Sequence, residues 1–438
     1  MTGPTVSHVG RLHAAVGEAL DDRDAADEVA SRPTLSMADR RQLARQLITS
    51  ELAQIDTTRL AEGVAPLTKD ESSGLATAVM NRLFGLGRLQ VYVDDPQWTD
   101  IHANGCDDVW LTRVDGSIHP GDPIADSDAE LIEIIQTQAR RGRSEQRWDP
   151  ASPELDTRLP SGDRLHAIAW VSGRPSISIR RHNFDISRLK QLIGLGTISE
   201  SIYHLLRAVV AARFNVIVAG GTGAGKTTLL RCLLNEVDAS ERIITVEDSL
   251  EIGLEHFAEL HPNRVDLEAR DANLEGVGEF PMHRLVRSGL RMQPDRVIVG
   301  EVRGAEALPM MLAMSQGNDG SMCTIHADSS AGVFARLQMY MAMTPERFDV
   351  EVTNLMIANA VHFVVHLNQL DSHDRVATSI REITGADGAM VTSNEIYVPD
   401  LSGRAMPRFG LSDRTRHKLE RAGFDERWLQ PDNAGWAT

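Results

Sequence analysis

Residues 214–234 read FNVIVAGGTGAGKTTLLRCLL. An apolar run of strand type passes into Gly220-x4-Gly225-Lys226-Thr227, and apolar residues at helical spacing follow at once. This is the context a phosphate-binding loop needs: glycines let backbone N–H groups close around phosphates at a helix N-terminus, where the helix dipole favours anions. Gly220, Gly221, Thr222, Gly223, Ala224 and Gly225 form the predicted cradle, with Thr228 just beyond it. Lys226 is placed to reach the β- and γ-phosphates of ATP as a point charge, and the Thr227 hydroxyl to ligate Mg²⁺.

Downstream, strand-like runs alternate with helical stretches: RIITVED at 242–248, RVIVGE at 296–301, SMCTIHAD at 321–328 and HFVVHL at 362–367. Such alternation predicts a mostly parallel sheet with helices on both faces, an α/β fold. Three of these strands end in polar residues: Glu247 and Asp248, Glu301, and His326. In an open parallel sheet ligands sit outside the carboxyl ends of the strands, so these side chains are expected to converge on the phosphates. Hydrolysis calls for such groups: one to hold metal, one to orient or deprotonate water, one to contact the γ-phosphate. Each also has a bland reading. Glu247 and Asp248 could cap a following helix, Glu301 could be salt-bridged to Arg303, and His326 could be a core histidine bonded to a carbonyl.

The rest of the chain is read around this centre. At 438 residues it is long for one core and suggests about three units. A hydrophobic share of 42% beside 24% charged residues is that of a folded chain and argues against disorder. Residues 1–88 show helical spacing, with SMADRRQLARQL offering Ser36 as a cap. Residues 89–185, with LQVYV, TDIHANG, DVWLTRVDG, RLPSGDRLHAIAWV and SISIRR, read as short strands of a small α/β domain. Residues 186–200 read as a hinge, and 201–438 as the nucleotide domain, with a hairpin in SIREITGADGAMVTSNEIYV and a charged helix at 412–422.

The net charge of −17 and the 5% aromatic content argue against a nucleic-acid partner, which would call for a basic groove or a stacking platform. The N-terminus lacks the pattern of a signal peptide, and no apolar run approaches the ~18 residues that span a bilayer. A cytoplasmic location is expected. Cys106, Cys232 and Cys323 are too few and too scattered for a disulfide framework or a four-cysteine zinc site.

VIVAGGTGAGKTTLL, ITVEDSLEIGL, LVRSGLRMQPDRVIVGEVRGAEA and GSMCTIHADS resemble the Walker A, Asp-box, Walker B and His-box segments of the type II and type IV secretion and pilus-assembly ATPases, most closely the CpaF-like branch of tight-adherence (Flp) pili. WTDIHANGCDDVWL and LDTRLPSGDRLHAI extend the resemblance upstream, so that it covers about 89–400. It implies a RecA-like ATPase domain. Glu247 would be the Asp-box glutamate acting on water, Glu301 the Walker B glutamate acting on Mg²⁺ and its water, and His326 the γ-phosphate sensor; which glutamate takes the proton stays open. The resemblance further implies a homo-hexamer bound at the inner face of the cell membrane through a platform protein of a pilus or secretion machine. Arginines of the small domain would neutralise transition-state charge. Arg158 and Arg164 are the candidates, Arg180 and Arg181 stand behind them, and a structural role within that domain is the alternative for all four. Arg287 and Arg291 would serve the ring interface. The chain departs from the family in having no tetra-cysteine module, and from the branch at NQLDSHDR, residues 368–375. Two other classes compete, a RecA-like nucleic-acid motor and a nucleotide-gated scaffold that does not hydrolyse.

Overall fold

The computed structural model describes residues 4–30, 32–141, 147–181, 184–270, 272, 276–370 and 374–436. The chain divides into two compact units, Met1–His182 and Asn183–Thr438.

The first unit opens with three helices, Pro4–Val29, Met37–Ala61 and Lys69–Phe84. Ser36 caps the second by accepting from the Asp39 amide, and Thr68 with Glu71 forms a capping box at the third. Leu12, Val16, Leu20, Ala44, Ile48, Leu75 and Val79, at helical spacing, bury against one another. A six-stranded antiparallel sheet follows: β1 (Trp98–Asn104), β2 (Val109–Arg113), β3 (Ile118–Gly121), β4 (Glu154–Arg158), β5 (Arg164–Ile168) and β6 (Ser176–Arg180), in the order β3-β2-β1-β6-β5-β4. Inward residues such as Ile101, Leu111, Leu165 and Ile179 pack with Leu131 and Ile135 of the helix Asp128–Arg141. One expected strand is helical. LQVYV forms the turn Gln90–Asp94, because Leu86, Leu89 and Val93 are the buried residues and their spacing of three and four is that of a helix.

The second unit holds nine strands: β7 (Val216–Gly220), β8 (Ile243–Glu247), β9 (Arg264–Glu268), β10 (Arg296–Val302), β11 (Met322–His326), β12 (Phe363–Gln369), β13 (Arg375–Asp387), β14 (Met390–Pro399) and β15 (Ala405–Pro407). Their order is β15-β14-β13-β12-β7-β11-β10-β8-β9. From β12 to β9 every neighbouring pair is parallel, and β13, β14 and β15 extend the sheet antiparallel. Both faces are covered. Val216 and Val218 of β7 enter one core with Leu229 and Leu233, whereas Ile217 and Ala219 enter the other with Met310 and Leu337. Two-sided burial explains why these strands read as unbroken apolar runs. The edge strand β9, half-buried throughout and alternating charged with apolar residues, gave no such run and was not expected. Residues 186–200, read as a hinge, contain the helix Leu189–Gly194, whose Leu189 and Leu192 lie with Ile198 in the same core as Val216 and Leu229. A helix of six residues is too short to display a period in sequence.

Candidate functional site

β7 ends at Gly220, whose φ is +153°. A Cβ there would meet the Leu367 carbonyl oxygen of β12 at 2.4 Å, so the loop leaves the sheet through a gap that admits only glycine. Gly225, at φ +91°, turns the chain into the helix Lys226–Leu234 in a left-handed conformation. No side chain caps that helix, which leaves its first-turn N–H groups for an anion. Gly221, Thr222 and Gly223 are exposed at the rim, Ala224 packs beneath, and Thr227 and Thr228 are half-buried in the first helical turn. Lys226 is 8% exposed; its Nζ donates to the Gly221 carbonyl at 2.9 Å, and burial lowers its pKa.

His326 is placed by register. β11 pairs directly with β7, and His326 stands opposite Gly220. Its ring nitrogens both lie 3.5 Å from Lys226 Nζ, and Nε2 lies 2.6 Å from Glu301 Oε1 on the next strand, β10. Burial lowers the His326 pKa against the opposing pull of Glu301, which holds the ring toward its neutral form. Glu301 Oε2 accepts from Arg303 Nε at 2.8 Å and Nη2 at 2.5 Å, and Arg303 Nη1 lies 3.8 Å from Asp248. Lys226, His326, Glu301, Arg303 and Asp248 thus form one line of charge across the carboxyl ends of the strands. The salt-bridge reading of Glu301 holds, and it holds inside the cluster. His326, one-third exposed, faces this line and is no core histidine.

Glu247 ends β8 and is 3% exposed. Burial pushes its carboxyl up to about 8, although Oε2 accepts the N–H groups of Glu251 at 2.8 Å and Ile252 at 2.9 Å. The capping role is therefore real, but it is exercised on a loop and not on a helix. Gly300 makes room for it: a Cβ at 300 would lie 2.9 Å from Glu247 Cγ.

Sequence reasoning missed Arg375, whose Cδ lies 3.5 Å from where a Cβ of Gly225 would stand. It reaches the loop from the start of β13, a nearness only the sheet order creates. Of the neighbouring NQLDSHDR stretch, residues 371–373 lie outside the described residues. Arg158 and Arg164 belong to the first unit, paired across the β4–β5 hairpin; Arg158 Nε donates to the Gly162 carbonyl at 3.0 Å, and Arg164 lies 3.4 Å from Asp156. Arg180 pairs with Asp100 and Arg181 with the Asp95 carbonyl. Arg287 lies 3.6 Å from Glu346, and Arg291 ends the helix Met282–Leu290.

The profile of the family described as "Type II/IV secretion system protein" matches residues 85–404. The chain belongs to the type II/IV secretion system protein family. Similar curated proteins include a putative conjugal transfer protein of Mycobacterium tuberculosis strain H37Rv, 33% identical over 318 residues that cover 71% of this chain and 88% of that protein. Another is the type IV secretion system protein VirB11 of Brucella suis biovar 1, 29% identical over 346 residues covering 72% and 93%. Solved structures similar to it include the VirB11 ATPase from the Brucella suis type IV secretion system in complex with sulphate, at 26% identity and TM-score 0.36, covering 68% of this chain and 97% of that one. The pilus retraction motor PilT with bound ADP matches at 16% identity and TM-score 0.49, covering 77% and 86%. This secretion-family chain is an ATPase, and its second unit is an α/β domain built on a mostly parallel sheet. Among the described residues, no helix is long and apolar enough to cross a membrane.

Proposed function

We propose that the chain is a hexameric motor of the CpaF-like, tight-adherence branch, which couples Mg-ATP hydrolysis to pilus assembly or protein secretion through an inner-membrane platform. The observation that carries the reading is the meeting of Lys226, His326 and Glu301 at the ends of β7, β11 and β10. A scaffold that only binds nucleotide has use for Lys226 but none for a carboxylate and an imidazole aligned beside it.

In this reading Lys226 exchanges its Gly221 carbonyl for β- and γ-phosphate oxygens, and His326, within reach of Lys226, contacts the γ-phosphate. The residues present fit Mg²⁺: Thr227 offers a hydroxyl in the first helical turn, and Glu301 offers a carboxylate whose Oε1 is turned to His326 Nε2 at 2.6 Å. Bound there, the ion neutralises charge on the transferring phosphoryl group. Glu247, set back and tied to loop amides, orients water; Arg158 and Arg164 supply cations from the small domain of the same or a neighbouring subunit. The homo-hexamer sits at the inner face of the membrane by binding the platform, with no nucleic acid involved.

The test is phosphate release measured over a range of protein concentrations, beside His326→Ala. Specific activity is expected to rise as subunits assemble, and His326→Ala to lose at least ~10²-fold in kcat with nucleotide affinity little changed. Flat specific activity would remove the ring, and full activity in His326→Ala would remove the sensor.

A further inference from the structure

The loop behind β8 is gripped on two sides. The N–H groups of Glu251 and Ile252 point to Glu247, while their carbonyls point the other way, to Arg231: Nε donates to Ile252 O at 2.7 Å and Nη2 to Glu251 O at 2.9 Å. Arg231 is 3% exposed and lies on the helix that begins at Lys226. One peptide segment therefore joins the phosphate-loop helix to the buried carboxyl of Glu247.

A third wall closes this arrangement. The Phe184 ring lies 4.6 Å from the Arg231 guanidinium carbon and 4.2 Å from the His256 ring, tilted by 32°. Gly253, at φ +70°, adjoins the gripped segment, and a Cβ there would fall 2.2 Å from Phe184 Cε1. The loop thus gives up a side chain to admit the ring. Phe184 is also the first described residue after the boundary between the two units, so it stands where the chain enters the ATPase unit. Its ring bears on Arg231 and Gly253, the two neighbours of the segment that fixes Glu247.

We propose that Phe184 is a positioning residue: seated on Arg231 and Gly253, it holds the gripped segment in place and so sets the Glu247 carboxyl for hydrolysis. The proposal rests on the reading that Glu247 acts on water. Core packing alone would make Phe184 matter for stability and for nothing else. Transmission through Glu247 makes it matter for turnover at unchanged nucleotide affinity, since displacement of a reacting group by about 1 Å costs up to ~10²-fold.

The experiment is a double-mutant cycle in the full chain with Phe184→Ala, Glu247→Gln and the pair, reading kcat from phosphate release and Kd from a fluorescent ATP analogue. Phe184→Ala is expected to lower kcat by about 10–100-fold, leave Kd within about twofold, and add no further loss on top of Glu247→Gln. Phe184→Leu, which keeps apolar volume but loses the ring face, secures the result if the alanine variant folds poorly, and it is expected to lower kcat in the same way. The proposal is overturned if kcat survives in both Phe184 variants, if Kd weakens in step with kcat, or if the two losses multiply. Wild-type turnover in Glu247→Gln would instead remove the role of Glu247 itself, and this proposal with it.

Discussion

Glu301→Gln is expected to bind ATP within a few-fold of wild type and to turn it over at least ~10²-fold more slowly. The substitution keeps the volume and one oxygen but removes the charge that the site is built around. Glu301 Oε1 lies 2.6 Å from His326 Nε2, and Oε2 takes two N–H groups of Arg303. Loss of the negative charge leaves Lys226, Arg303 and the imidazole facing a neutral amide, which suits an anionic nucleotide. Binding therefore persists, while the anionic carboxylate needed to hold Mg²⁺ and act on its water is gone. Phosphate release and fluorescent-nucleotide titration on one preparation separate the two effects. Parallel loss of binding and turnover would mean that Glu301 shapes the pocket and takes no part in the chemistry.

Glu241→Ala is expected to destabilise the ATPase unit by about 3–5 kcal/mol, seen as a fall of about 6–20 °C in its melting temperature. Arg296, at the amino end of β10, is 1% exposed and meets Glu241 through Nε and Nη2, both at 2.8 Å. Its Nη1 also donates to the Gly320 carbonyl and its Nη2 to the Val210 carbonyl. Without Glu241 a guanidinium stays in the interior with only neutral partners, the situation that makes broken buried pairs costly. Replacing both residues, with Arg296→Met and Glu241→Leu, is expected to recover most of the loss, because the penalty is the stranded charge. At temperatures where the variant is folded its turnover should match wild type. Arg296 sits five residues before Glu301 on a strand that rises ~3.3 Å per residue, at the amino end of β10 and away from the phosphate loop.

The parts of the fold that were legible in the sequence are those whose signal is local. Gly220 to Thr227 announces a loop because the positive φ values at Gly220 and Gly225 call for glycine there on backbone grounds alone. The parallel strands announce themselves because burial on both faces demands continuous apolar runs. Glu301 and His326 could be singled out from strand-end position alone, since adjacent parallel strands place their last residues side by side. What escaped depends on neighbours distant in the chain. The burial of Glu247 comes from close packing against Gly300, and the approach of Arg375 comes from the order β12-β7 with β13 outside it. Edge strand β9 escaped for the opposite reason, since half-burial leaves a pattern that resembles a polar loop.

The measurement that bears most directly on this account is steady-state hydrolysis of Mg-ATP by the purified full-length chain beside Lys226→Ala, at matched concentrations from dilute to assembled. Lys226 is the cation of the phosphate loop, joined at 3.5 Å to His326 and through it to Glu301. Turnover in the wild type is expected to grow with assembly, and the variant to lose at least ~10²-fold together with weakened nucleotide binding. Equal turnover in the two proteins, or a wild type that binds ATP and stays silent at every concentration, would contradict this.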